Sequence, residues 1–402
     1  MTATAPAPAP LTRSRTIAVV GDLVEGWPAV PGPSTGEAAA QWQVLDPAER
    51  PWPPVPPGAP TVAGGYLERL ALAMVAAGHA DGVEVWHHWR GPGPAPFRRE
   101  SPWLARRAFR QRHEGAPVAS DDMAAFVRTF GAPHLLLVLG LGIVPELLDL
   151  CAGSVRLYNS IDAPALRIPP EVSARCDLIL TGAPWQSDAV RERHPEMPTL
   201  VLPIGPEFAA PDQFRPLGTP KDVDLIYVAA AQPYKRHDLL FDALERLPRD
   251  VTALCVFGYG ELADDLRARA AASGLAVEFV GPPGVPFDEV NRLMNRARFG
   301  VVCGADDGAP AIITEYMLAG LPVLANERLC CGLQYILPET GRTASADGFA
   351  GAILSMRATA HLYAPREAVL ARWTWPHSVA RLHRLISRIV DAKQRQGLGP
   401  AT

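Results

Sequence analysis

Cysteine is scarce in this chain, with six among 402 residues, at 151, 176, 255, 303, 330 and 331, and no C-x-x-C pair. So few thiols cannot form a disulfide framework and their spacing offers no metal site, which predicts reduced, mostly buried cysteines. Charge of one sign is also missing, since the net charge is only −4. Nothing in that balance points to a nucleic-acid partner. No run approaches the roughly 20 apolar residues that span a bilayer, and the opening MTATAPAPAPLTRSRT has no apolar centre of a secretion signal, so the expected location is cytoplasmic. Proline and glycine, by contrast, are plentiful, at 42 and 34 residues. With 48% apolar and 20% charged residues, the chain has the composition of a globular protein of two or three domains.

The breakers divide the sequence. An Ala/Pro tail, expected to be disordered, covers 1–15, and TIAVVGDLV reads as the first strand. Residues 27–60 form a proline-dense stretch carrying Trp27, Trp42 and Trp52, too long for an ordinary connection. APHLLLVLGLG, SVRLYN and DLILTGA read as further strands, and TLVLPIG closes a first domain spanning 16–205. GPEFAAPDQFRPLGTPKD is a Pro/Gly-rich linker over about 206–221, followed by a second domain at 222–375 and a final helix at 376–402.

In the second half, LIYVAAAQPYKRHDLLFDAL, ALCVFGYGELADDLRARAAASGLAVEFVG and EVNRLMNRARFGVVCGADDGAPAIITEYMLAGLPVLAN follow in series, each joining an apolar run of strand length to a helical stretch. Repeated β-α order predicts a doubly wound parallel sheet that binds ligands at the carboxyl ends of its strands. Asp307 and Glu315, eight positions apart, stand where the last of these strands passes through a loop into a helix. A helix start there, over Gly308, Ala309, Ala311 and Ile312, would present backbone N–H groups to phosphate, with Glu315 about two turns further in. The two acids would then hold hydroxyls on either side of a diphosphate, as a nucleotide sugar provides. An ordinary helix with an acid near its start is the plain alternative.

Several motifs in one order resemble the retaining glycosyltransferases of family 4 over most of the chain. VAGGYLERLALAMVAAGH is similar to that family's Gly-Gly loop, helix and closing Gly-His, here Gly64, Gly65, Gly78 and His79. Lys235 in PYKRHDLLFDAL resembles its diphosphate lysine, GYGEL with Gly258 its Gly-x-Gly turn, Asp307 and Glu315 its acid pair, and RWTWPHSVARL the start of its closing helix. The resemblance implies an α/β chain of GT-B fold, two Rossmann-like doubly wound domains facing across a cleft, with the last helix crossing back to the first domain. It also implies transfer of a sugar, with retention and without metal or cofactor, from a nucleoside diphosphate on the second domain to an acceptor on the first. Lys235, Asp307 and Glu315 would be the catalytic set, with Glu315 on the donor ribose and Asp307 on sugar hydroxyls. Lys235, Arg236 and the Gly64–Gly65 amides would meet leaving-group charge, and Trp42, Trp52 and His88 are the acceptor-side candidates.

Four positions depart from the family pattern. Asp307 replaces a glutamate, Ala230 an arginine, Pro310 a small residue, and Cys330-Cys331-Gly332 a glycine pair. These departures keep open a non-catalytic GT-B relative that binds a nucleotide sugar or glycan. A nicotinamide oxidoreductase is suggested by FGYGELA with Glu278 downstream, but Glu278 lies inside a strand instead of at its end. DVD at 222–224 precedes its strand, which disfavours a metal site, and His87 and His88 point to opposite faces of theirs. FRRESPWLARRAFRQRHEG, whose arginines span 98–112, reads as a solvated helix face, with an anionic acceptor or peripheral membrane contact as alternatives. The acceptor classes in view are natural products, small molecules and envelope glycoconjugates, by analogy with bacterial secondary metabolism.

Overall fold

The structure, a computed structural model, describes residues 15–21, 52–90, 95, 97–113, 115–162 and 164–398. Two sheets dominate it. The first contains β1 (Thr16–Val20), β2 (Gly82–Trp89), β3 (Phe97–Ser101), β4 (Leu104–Arg110), β5 (Leu135–Leu139), β6 (Val155–Ser160), β7 (Leu178–Thr181) and β8 (Thr199–Val201). Their order is β3-β4-β2-β1-β5-β6-β7-β8, parallel throughout except for β3 at the edge. The second contains β9 (Val223–Val228), β10 (Ala253–Val256), β11 (Val277–Val280), β12 (Ala297–Val302), β13 (Val323–Asn326) and β14 (Gly341–Ala344). Its order is β11-β10-β9-β12-β13-β14, all parallel.

Helices cover both faces of each sheet, which explains why strands such as Val223–Val228 read as nearly unbroken apolar runs instead of alternating ones. In the second sheet the order reverses at β9, so the crevice between the carboxyl ends of β9 and β12 is the place where this topology binds ligands.

The C-terminal helix Trp375–Arg395 returns to the first sheet. It buries Val379, Leu382 and Ile386 against the helix Arg69–Ala76 and the lower face of β1, β2 and β5, and His383 stacks flat on His79 with ring centroids 3.5 Å apart. Where it leaves the second half of the chain, Thr374 bridges Ala209 of the outgoing linker. Ser378 Oγ donates to the Glu207 carbonyl at 2.6 Å, and Arg381 pairs with the Glu207 carboxylate.

The stretch 98–112 is not a helix. It lies in an antiparallel hairpin of β3 and β4 that turns at Pro102-Trp103, and the guanidinium of Arg106 faces inward to Glu68 at 2.6 Å while that of Arg107 faces Glu84 at 3.2 Å. Arg112 pairs with Asp121 and Glu146. Alternation along each arm carries the pattern, and two of the arginines, Arg106 and Arg107, serve internal carboxylates. Among the described residues, no helix is long and apolar enough to cross a membrane.

Candidate functional site

A cleft of about 640 Å³ opens between the two sheets. From the second half of the chain, its walls are Val228 to Ala230 after β9, Tyr234 and Lys235, Tyr259, and the segment Asp306 to Glu315 after β12; from the first half, Tyr66, Ile161, Asp162 and Arg167. The site thus sits at the reversal of the second sheet, as the topology requires.

Lys235 ends the short 3-10 turn Pro233–Lys235, held in place by Tyr227, whose hydroxyl donates to the Lys235 carbonyl at 2.6 Å. Its ammonium reaches the Asp307 carboxylate at 2.5 Å. Both side chains are largely buried, so this is a strong, weakly screened pair at the floor of the cleft. Glu315 points elsewhere. Its Oε1 accepts from Arg69 at 2.5 Å, and Arg69 also donates to the carbonyls of Gly64 at 2.7 Å and Gly205 at 3.2 Å. Arg69 is only 2% exposed, an arginine buried at the seam between the halves. Tyr66, from the same turn, donates to the Ala309 carbonyl at 3.2 Å; burial first, and Asp307 next, hold its phenol protonated well above the ordinary range.

The helix after Asp307 starts later than its sequence suggests. Ala309 has φ +63°, Pro310 follows it, and the regular turns run only from Ile312 to Leu318. Glu315 therefore lies in the first turn, not two turns in, and a helix of seven residues supplies little dipole. Gly308 instead makes a backbone contact across the seam, because a Cβ there would collide with the Ile161 carbonyl. The cations that line the cleft are the side chains of Lys235 and Arg167.

Of the other sequence candidates, Gly308, Ala311 and Ile312 line the cleft with Lys235, Asp307 and Glu315, whereas Ala309 is wholly buried beside it. Arg236 turns away to Asp238 at 2.7 Å and is absent from the cleft lining. Gly258, Gly64 and Gly65 are likewise outside it. Gly64, with φ +93°, makes the turn by which Gly65 donates its N–H to Glu68 at 2.8 Å, so that amide is already engaged.

The acceptor-side candidates fare differently. Trp27 and Trp42 lie outside the described residues. Trp52 is 8% exposed, packs over Gly82 and donates its indole N–H to Thr16 at 2.9 Å, which makes it part of the first domain's core and not a stacking platform. His88 is buried, with Nε2 against the Gly142 carbonyl at 2.8 Å, and is not in the cleft lining. Arg69, Tyr66 and Arg167 were not singled out in the sequence. A charged pair, Glu68-Arg69, at the head of an otherwise apolar helix was the available signal for the first two.

Asp222 pairs with Arg296, and Asp224 with Arg357. Glu278 also serves Arg296. Among the described residues, no group of three or more His, Cys, Asp or Glu side chains is placed to hold a metal ion.

The architecture and cleft define an α/β protein of GT-B fold. Solved structures agree over nearly the whole chain. Sucrose-phosphate synthase from Thermosynechococcus elongatus aligns with a TM-score of 0.66 at 17% identity, over 94% of this chain and 100% of that one. Anabaena HepE, in complex with UDP and glucose, aligns at 0.61 and 16% identity over 92% and 99%. The lipopolysaccharide outer core galactosyltransferase WaaB in its apo form aligns at 0.60 and 13% over 93% and 99%. Residues 210–343, which hold Lys235, Asp307 and Glu315, match Glycosyl transferases group 1. No curated protein matches by sequence.

Proposed function

We propose that the protein is a retaining glycosyltransferase that moves a sugar from a nucleoside diphosphate to an acceptor bound against the first half of the chain. The observation that carries this reading is the convergence of Lys235, Asp307 and Glu315 on one cleft at the reversal of the second sheet. In it, the nucleotide lies along β9 and the segment 306–315, with Glu315 on the ribose. The donor's sugar hydroxyls take Asp307, and the diphosphate takes the Lys235 ammonium that pairs with Asp307. The internal ion pair is exchanged for two ligand contacts, which keeps the cation oriented before the donor arrives.

Ala230 leaves the β9 end without a cation, and Arg167 supplies a second positive group to the same cleft from the loop after β6. Leaving-group charge is therefore met by Lys235 from one side and Arg167 from the other as the halves close. The acceptor approaches on the side of Asp162 and Tyr66, on the face of the sugar from which the diphosphate departs. The transfer needs no metal in this reading. Lys235→Ala should lower turnover about a hundredfold to a thousandfold, the usual effect of removing one preorganised charge donor, with the melting temperature retained and wild-type activity persisting in EDTA. Donor hydrolysis without acceptor separates this reading from a non-catalytic binder: a nucleotide sugar that binds tightly and is never turned over, with any acceptor, would favour the binder.

A further inference from the structure

The loop after β13 carries adjacent cysteines at the seam beside the cleft. The Asn326 side chain fixes the start of this loop by donating to the Cys303 carbonyl at 2.9 Å, and the Cys330 N–H donates to the Ala305 carbonyl at 2.8 Å. Gly332, with φ +113°, turns the chain away again. Between them, Cys331 is buried against Ala183 of the first half and Ala309 of the second, while Cys330 remains partly exposed. The Cys330 thiol donates to the Asp307 carbonyl at 3.5 Å, and the Cys331 thiol follows on the next residue.

Both halves meet here. The Trp185 indole N–H donates to the Cys330 carbonyl at 2.8 Å, and Gln334 donates to the Gly182 carbonyl at 2.8 Å. The neighbouring Cys331 thiol lowers the Cys330 thiol's pKa, which favours the reactive thiolate at the more accessible of the two sulfurs. The remaining cysteines, 151, 176, 255 and 303, are buried elsewhere in the sheets and helices.

We propose that Cys330 and Cys331 are a peroxide-sensitive dithiol whose closure into a disulfide loosens the seam and weakens donor binding. The Cys330 sulfur attacks one oxygen of hydrogen peroxide, the O–O bond breaks, and a sulfenic acid forms as the first water is released. The Cys331 sulfur then attacks the sulfenic sulfur, the S–O bond breaks and the second water leaves. Two thiols thereby give up two hydrogens, and the peroxide is reduced. Closing a ring between neighbouring residues removes the thiol proton that meets the Asp307 carbonyl. It also turns the 330–331 peptide, withdrawing the carbonyl that holds Trp185. Loss of one or two such bonds corresponds to a fivefold to thirtyfold weakening of donor binding. That last consequence rests on the donor reading above; the thiol chemistry and the seam change do not.

The test treats the full chain with hydrogen peroxide, then maps the peptide containing 330–331 by mass spectrometry and follows amide hydrogen exchange in 182–190 and 305–312. The expected result is a loss of two hydrogens at 330–331 with faster exchange in both segments, reversed by dithiothreitol and absent in Cys331→Ser and Cys330→Ser. Reduced wild-type protein should also bind one phenylarsine oxide per chain, and neither variant should. UDP titration should show weaker binding after oxidation. Absence of the two-hydrogen loss, or a disulfide that leaves exchange in both segments unchanged, overturns the proposal. Failure of UDP to bind even the reduced protein counts against the donor reading alone, because mass and exchange need no nucleotide.

Discussion

Arg69→Met isolates one buried ion pair that joins the two halves of the chain. In the native structure the guanidinium makes three hydrogen bonds, to Gly64 and Gly205 carbonyls and to the Glu315 carboxylate, and arginine and glutamate side chains are 2% and 9% exposed. Methionine keeps most of the apolar volume but leaves Glu315 as a buried carboxylate without its cation. Breaking such a pair from one side costs about 3–5 kcal/mol. Removing both charges, as Arg69→Met with Glu315→Gln, should cost much less than the two single changes summed, giving a coupling of about 2–3 kcal/mol. Urea unfolding of the four proteins, with amide exchange over 308–316 to catch opening of the seam before global unfolding, supplies the cycle. Because Arg69 also fixes the direction of Glu315, the single variant should weaken UDP binding as well. If Arg69→Met stays within about 0.5 kcal/mol of wild type, or the two changes add within that margin, the bridge carries no load and the reasoning fails.

Asp307→Ala should spare or slightly tighten free UDP, because it releases the Lys235 ammonium, whereas Glu315→Gln should weaken it; equal weakening in calorimetric titration would reject the assigned roles. Trp52→Ala should cost about 3–5 kcal/mol as a core truncation and leave the acceptor Michaelis constant unchanged; a shifted acceptor constant at unaltered stability would restore it to the site. Burial pushes His87 down to about 3 and His237 down to about 4, from an ordinary 6.5. Both rings stay neutral in the folded state over that interval while the unfolded chain takes up their protons, so stability should fall as pH drops from about 6.5 toward 4, by up to roughly 1.4 kcal/mol per pH unit for each ring. Both His237 ring nitrogens lack a partner, and His237→Phe should flatten that slope in urea unfolding at stepped pH; an unchanged slope would show that this ring does not drive it.

Much of the second sheet was legible because parallel strands buried on both faces leave continuous apolar runs, and because Lys235, Asp307 and Glu315 follow the ends of those runs. The parts that were not legible depend on distance along the chain or on competing patterns. Arg69 meets Glu315 across 246 positions, and no local spacing encodes such a partner. In the Arg-rich stretch the density of charge obscured the alternation of two short arms around Pro102-Trp103, and a hairpin was read as a helix face. Trp52 stands among prolines that look like open loop, yet the missing side chain of Gly82 makes the recess it fills. Ala309 and Pro310 delayed the helix start by a turn, a shift that depends on one left-handed residue.

The bridge between Ala209 and Thr374 fixes more than the ends of two segments. The chain passes between its halves twice, and both passages are stitched together at this one place, with Ser378 and Arg381 fastened to Glu207 beside them. Two bodies tied at two separated points resist turning, whereas bodies tied twice at a single point keep a pivot and lose the ability to slide. The contacts across the seam, among them Arg69 with Glu315 and Trp185 with the Cys330 carbonyl, would have to part before the halves could swing about that pivot. A rotation about that point would carry the far lips of the cleft furthest and the residues around Glu207 least.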